Sequence, residues 1–367
     1  MKKIGLVTFF NSYNYGVWFQ AFATEYFLLQ HQYDVEIVNY SNKYDREKLK
    51  YFYKERGRIG GYISSFFKSL IFGKVRYYNR GFKNNLDVFY RLSKKRFTQV
   101  GGMEKLEYDV LIAGSDQIWN PETTGGRLDR VFLLDFGKTK KRISYASSIG
   151  SSLIRDQDKY TFTETLKKFC AISVRENFAA EQLQSLITTP IKVVCDPTFF
   201  LRKRDWLEFA GKYSKIKKVD KKYILTYFVS GDKYTDRYID LVKAYSKKMG
   251  LPVWAIQFSS YYNKACDRKI LGASIADFIE LLNDAEIMIT DSFHGVALSI
   301  NLNKNFVVLE NKKNPARIQN LLEMLDLEQR IDMPVKNLSR IDYECVNKKV
   351  EEIRLESSNW LLNKIEA

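Results

Sequence analysis

Asp291, Ser292, Phe293, His294 and Gly295 stand between a short apolar run, residues 286–290, and a stretch of helical spacing from Val296 onward. The run contains two isoleucines and reads as a buried strand. Either Asp291 or Ser292 suits the helix N-cap, since a short oxygen side chain accepts from the free first-turn amides. Strand, tight turn and helix together make an anion site, because a helix N-terminus carries unpaired N–H groups and partial positive charge. His294 stands in that turn, and an imidazole can give or take a proton near neutral pH. Phosphate binding with proton transfer is one reading. The other is a helix-start histidine that only hydrogen-bonds backbone.

Further candidates fall at the ends of other strand-like runs. Asn11, Asn14 and Gly16 follow the first, where they form either a plain turn into a helix or a binding loop. Gly114, Ser115, Asp116 and Gln117 follow "DVLI", with Trp119 as a ring on which a sugar could stack; Asp116 alone could be a helix cap. Arg175 ends "ISVR" and Asp196 lies in "CDPTFF". A strand-end arginine suits a carboxylate or phosphate through a two-point fork, or pairs with Glu176 or Asp196. His31, the only other histidine, closes a helix before a strand and reads as a helix-end charge partner. Two distant histidines make no catalytic zinc site. Neither a P-loop nor a strand-following G-x-G-x-x-G occurs, and no G-x-S-x-G elbow supports a serine triad.

The elements that must position these residues alternate between strand-like and helix-like. One series runs through "KIGLVTF", "DVEIVNY", "DVLIAGS", "RISYASS", "CAISVRE" and "IKVVCDP". A second runs through "YILTYFV", "PVWAIQF", "EIMITDS" and "NFVVLE". Alternating βα units predict parallel sheets covered by helices, here two Rossmann-like domains facing a cleft, with ligands at the carboxyl ends of the strands. The expected division is residues 1–200, a linker at 201–221, a second domain at 222–340 and a C-terminal helix at 341–367. Residues 45–100 form a basic, aromatic helical insertion in the first domain.

The net charge is +16, and residues 45–97 carry 15 Lys/Arg against 4 Asp/Glu. Basic charge interleaved with aromatics over 46–96 suits an anionic membrane surface, or is the solvated face of ordinary helices. No nucleic-acid motif accompanies it, so nucleic acid is not an expected partner. Four scattered cysteines without a C-x-x-C pair fit a reducing compartment. The N-terminal apolar run is too short for a signal peptide, so a cytoplasmic protein is expected, peripheral at the inner membrane face if the basic segment docks.

Taken together, "TFFNSYNYGVWFQAFA", "DVLIAGSDQIWNP", "RISYASSIG", "ISVREN", "CDPTFF", "TDSFHGVALSINLN" and "ARIQNLLEMLDLEQRI" resemble the bacterial polysaccharide pyruvyl transferase family, in order, from residue 1 to about 331. The resemblance implies a GT-B-like α/β fold. It implies transfer of the enolpyruvyl unit of phosphoenolpyruvate to a saccharide, commonly lipid-linked, as a ketal, with no cofactor beyond the donor and no metal. On that basis His294, Asp116 and Arg175 are the catalytic candidates. Ser292, Gly295, Lys312 and Arg317 would hold the donor, and Asn14, Tyr15, Gly16, Ser115, Gln117 and Trp119 would complete the binding surface. Where relatives often read NYGAxLQ, this chain has Val17, Trp18 and Phe19, expected to reshape the acceptor side. A nucleotide-sugar glycosyltransferase would share the fold, and a non-catalytic protein binding anionic glycan or lipid is the reading from another class.

Overall fold

The computed structural model describes residues 1–12, 14–48, 89–150, 153–216, 220–230, 236–257, 265–310 and 316–367. Two all-parallel sheets organise them, in the GT-B-like arrangement. The first contains β1 (Lys3–Val7), β2 (Asp34–Ile37), β3 (Glu107–Ala113), β4 (Lys138–Ser147), β5 (Ala171–Val174) and β6 (Ile191–Val193), in the order β2-β1-β3-β4-β5-β6. The second contains β7 (Ile224–Tyr227), β8 (Val253–Gln257), β9 (Arg268–Leu271), β10 (Ile287–Thr290) and β11 (Asn305–Val308), in the order β11-β10-β7-β8-β9. Strand β9 has no counterpart in the sequence reading. Its "RKIL" is only partly covered, and an edge strand needs no continuous apolar run.

Strand order reverses between β1 and β3 in the first sheet and between β7 and β10 in the second. These are the switch points where adjacent connections leave in opposite directions and open a crevice. Ile4 lies opposite Val110, and Ile287 opposite Ile224, so the carboxyl ends of each pair are level. The turns after β1, β3 and β10 therefore emerge where a ligand site is expected.

The helices are α1 (Tyr15–Gln30), α2 (Lys43–Lys48), α3 (Asp156–Leu166), α4 (Asn177–Gln184), α5 (Lys203–Tyr213), α6 (Asp236–Met249), α7 (Ile275–Asp284), α8 (Phe293–Asn301), α9 (Ala316–Met324) and α10 (Tyr343–Glu366). Helix α1 is buried on nearly every side. It belongs to the first lobe, yet its aromatic residues pack into the second: Phe19 and Tyr15 lie 5.2 and 5.1 Å from Phe278 of α7, centroid to centroid. One hydrophobic cluster consequently runs from Ile4 and Val35 through Trp206 to Phe278 and Ile300. Helix α10 returns to the first lobe, where Lys2 Nζ donates to Ile365 O at 2.8 Å and the Cys195 amide donates to Ser357 Oγ at 3.0 Å.

Most of the basic segment expected to be helical lies outside the described residues. Its tail after Phe89 is irregular rather than helical, with isolated bridges from Leu92 to Ile37 and from Phe97 to Tyr40. No helix among the described residues is long and apolar enough to cross a membrane.

Candidate active site

The turn after β10 folds as its residue types dictate. Ser292 is the N-cap of α8, and its hydroxyl accepts from the Gly295 amide at 3.4 Å. Asp291 takes the other role open to it, accepting from the Val229 and Ser230 amides at 2.7 and 3.0 Å and so tying the end of β7 to the end of β10. Gly295 must lack a side chain, since a Cβ there would lie 2.6 Å from Thr290 Oγ1. The helix N-terminus is thereby held tight against its strand, leaving its first-turn amides at the lobe interface.

His294 is 5% exposed. Its surroundings are polar and come largely from the other lobe. A Cβ on Gly16 would lie 2.0 Å from His294 Nδ1, so the ring rests against bare backbone in the first turn of α1. Asn14 caps that helix, its Oδ1 accepting from the Gly16 amide at 3.0 Å. Two helix N-termini thus converge on one imidazole. On the ring's other side Nε2 lies 3.7 Å from Asp196 Oδ2, too far for a hydrogen bond but within ion-pair range when the imidazole is protonated. That nitrogen is buried without a hydrogen-bond partner among the described residues.

Asp196, beyond the end of β6, is the anionic centre of the site. Its Oδ2 accepts from Arg175 Nη1 at 2.8 Å and Ser115 Oγ at 3.0 Å, while Oδ1 accepts from the amide and hydroxyl of Thr198 at 3.0 and 2.7 Å. Burial pushes its pKa up, but His294, Arg175 and the Thr198 amide outweigh burial and hold it well below the usual carboxylate range. Arg175, at the end of β5, also donates from Nε to Glu176 Oε1 at 3.1 Å and stacks its guanidinium 4.5 Å above the Phe293 ring. Burial disfavours its charge, and Glu176, Asp196 and Asp116 more than restore it, so Arg175 stays cationic. Its Nη2 is 3.9 Å from Asp116 Oδ1 and has no hydrogen bond.

Asp116 occupies the tight turn after β3 with φ of 74°, a left-handed conformation that aspartate tolerates better than most residues. Gln117, with its amide oxygen toward α9, lies 2.9 Å from both Nη1 and Nη2 of Arg317, linking the lobes. The structure therefore brings together Gly16, Ser115, Asp116, Gln117, Arg175, Ser292, His294, Gly295 and Arg317. Lys312 lies outside the described residues.

Other expectations are corrected. Trp119 is fully buried, donating from Nε1 to Phe132 O at 2.9 Å and packing edge-on against Phe162 and Phe169, so no ring face is open to a sugar. Tyr15 is also fully buried, and its hydroxyl donates to Ala273 O at 2.6 Å across the lobes, which makes it a structural strap. Val17, Trp18 and Phe19 face the core and do not shape an acceptor surface; Trp18 stacks on Tyr90 and donates to Ser12 O at 2.7 Å. His31 is the C-cap of α1, with Nδ1 2.8 Å from Phe27 O. The ion pairs of Arg175 with Glu176 and Asp196, one of the two readings of that arginine, are both present; Phe293 was visible in the sequence only as a neighbour of His294. Among the described residues, no three His, Cys, Asp or Glu side chains are grouped to hold a metal.

The family model described as polysaccharide pyruvyl transferase matches residues 14–313, which include this whole cluster except its last member, Arg317. A search of curated proteins finds no match. Among solved structures, the UDP-GlcNAc 2-epimerase from Methanocaldococcus jannaschii is similar at 12% identity and a TM-score of 0.47, over 96% of this chain and 92% of that one. The Neisseria meningitidis UDP-GlcNAc 2-epimerase bound to UDP-GlcNAc is similar at 11% identity and 0.46, over 99% of each chain. An O-GlcNAc transferase mutant from Thermobaculum terrenum aligns at 10% identity and 0.45, over 100% of this chain and 66% of that one. At such identities and scores these neighbours carry no argument about chemistry.

Proposed function

Because this chain belongs to the polysaccharide pyruvyl transferase family, we propose that the cluster around His294 moves the enolpyruvyl group of phosphoenolpyruvate onto two hydroxyls of a saccharide. One observation supports this most: the imidazole is wedged between the buried Asp196 and the bare backbone of Gly16, where two helix N-termini meet. Such a place suits a phosphate and a proton at the same point.

The donor phosphate rests on the first-turn amides of α8 and the Ser292 hydroxyl. Asp196 stands on the Nε2 side of the ring, and Nδ1 faces the α1 side. One acceptor hydroxyl adds to the central carbon of the donor as the methylene takes a proton. The second hydroxyl then forms its bond to that carbon as the bond to phosphate breaks. Of the two hydroxyl protons lost, one is balanced at the methyl group and one on phosphate. Asp116 accepts a hydroxyl proton as general base, and His294 supplies one to the methylene or to the departing phosphate. Asp196 positions the imidazole and Arg175 without touching substrate.

Among the described residues the cluster sets Asp116, Glu176 and Asp196 against Arg175 and Arg317. A multiply anionic donor needs further positive charge, which a proton on His294 and the cation of Lys312 would add. The acceptor is a saccharide, lipid-linked on the family reading, and the basic 46–96 segment would bring the enzyme to an anionic membrane surface.

The test is thermal stabilisation by separate ligands, followed by phosphate release. Phosphoenolpyruvate should stabilise the protein, and His294→Ala should reduce acceptor-dependent phosphate release by about a hundredfold or more, in the range of lost acid–base catalysis. Stabilisation by a nucleotide sugar alone would favour a glycosyltransferase, and full turnover by His294→Ala would refute the role of the imidazole.

A further inference from the structure

A groove of about 880 Å³ opens beyond the carboxyl ends of β2 and β3, and no residue of the His294 cluster lines it. That volume lies within the usual range of ligand sites and exceeds what one sugar ring needs. One wall is the chain leaving β2 and the start of α2, and the other is the end of the connection from β3 to β4. Asp129 fastens them together: its Oδ2 accepts from the Tyr40 hydroxyl at 2.8 Å and Asn42 Nδ2 at 3.1 Å, and its Oδ1 from the Val131 amide at 3.0 Å. Gly125 and Gly126 have φ of 88° and 89°, a conformation that favours glycine. A Cβ on Gly125 would lie 3.3 Å from Tyr44 Cβ, so this loop is pressed against the first turn of α2.

Among the described residues the lining carries four cations, Lys43, Arg46, Arg127 and Arg130, against the one carboxylate of Asp129. Arg46 donates from Nη1 to Ser41 O, and Arg130 from Nε to Asp135 Oδ2, both at 2.7 Å. Lys43 and Arg127 are exposed on opposite walls, and neither side chain has a hydrogen bond or ion pair among the described residues. Two cations without counter-charge attract an anion into the space between them. The amides of Asn42 and Gln99 and the hydroxyl of Thr98 line the same groove and suit sugar hydroxyls. A membrane surface suits it less, because the cations are recessed and no lining residue is an exposed large apolar side chain.

We propose that this groove binds an acidic saccharide whose carboxylate or phosphate groups pair with Lys43 and Arg127. The inference rests on the saccharide acceptor of the reading above and adds its charge and its direction. Asp116 begins the connection whose far end lines the groove, and Thr123 Oγ1 donates back to Gln117 O at 2.7 Å. The reacting sugar would lie at Asp116 and its neighbours along the chain in the groove.

Titration calorimetry on the full chain at low ionic strength tests this with tetragalacturonate, glucose 1-phosphate and neutral maltotetraose. At least one acidic probe should bind about tenfold or more tightly than the neutral one, and the tighter of the two identifies the charged group as carboxylate or phosphate. The double variant Lys43→Gln, Arg127→Gln should lose about tenfold or more of that affinity while keeping its melting temperature and its stabilisation by phosphoenolpyruvate, since both side chains are exposed. Equal affinity for neutral and acidic probes overturns the proposal, as does an acidic affinity unchanged in the variant. Binding to phosphatidylglycerol vesicles with none to any of the three saccharides also overturns it and assigns the charge to a membrane surface. In each of these cases stabilisation of the wild type by phosphoenolpyruvate leaves the donor reading standing. Without that stabilisation the donor reading falls, and the saccharide titrations still decide whether the groove binds an acidic sugar.

Discussion

At the level of single residues, the site depends on what is missing as much as on what is present. A methyl group on Gly16 would collide with the imidazole, so Gly16→Ala should displace His294 or the first turn of α1. The expected cost is about 1–3 kcal/mol of stability, as for other overpacked positions, with loss of phosphoenolpyruvate-dependent stabilisation in a melting assay. Asp196→Asn weakens the charge balance of a fully buried Arg175 while leaving Glu176 in place. Denaturant melts should show a loss of about 2–4 kcal/mol, below or near the range for breaking a buried pair. Glu25 offers a pH test away from the site. Burial pushes its carboxyl up to about 7, against the Arg91 amide and charge that lower it. Between roughly pH 4.5 and 7 the folded chain keeps a proton there that the unfolded chain has lost, so stability falls as pH rises through that window and is level above it. Glu25→Gln should therefore be more stable than wild type at pH 8, by up to about 3 kcal/mol, and nearly equal to it at pH 4.5. A mutant no more stable at pH 8 would show that Glu25 is not held protonated.

At the level of elements, the strand-turn-helix at residues 287–301 could be read from the sequence because each part signals locally: an apolar run, a serine cap, a small residue in the first turn. The same holds for α1, where Asn14 caps and Gly16 follows. What could not be read was direction. Trp119 and Tyr15 follow strands, as binding residues do, but no periodicity in so short a turn tells whether a ring enters the core or the crevice. Tyr15 turned out to join α1 to the second lobe through the Ala273 carbonyl. Removing that bond in Tyr15→Phe should cost about 1 kcal/mol or somewhat more, since the carbonyl is left buried without its donor. Nor could the sequence show that Gly16 and His294 touch, or that Asp196, a partner it did offer for Arg175, also faces His294. Those contacts unite turns from different sheets and have no local signature.

On the scale of the whole molecule, the two sheets suggest independent lobes, but the buried aromatics of α1 make their cores continuous. Phe278 is central to that junction and fully buried. Phe278→Ala should cost about 3–5 kcal/mol and lower both lobes together in a single calorimetric transition. Two separated transitions in the wild type would contradict a shared core. The fused interface also brings the cluster together from both lobes: His294 comes from one, and Gly16, Asp116, Arg175 and Asp196 from the other. The central claim is that the donor phosphate sits beside His294. Because the chain has only two histidines, imidazole NMR resolves them, with His31 as an internal control. Titration with phosphoenolpyruvate should move the His294 ring resonances saturably and leave those of His31 in place; unchanged His294 resonances at a concentration that stabilises the protein would contradict the account.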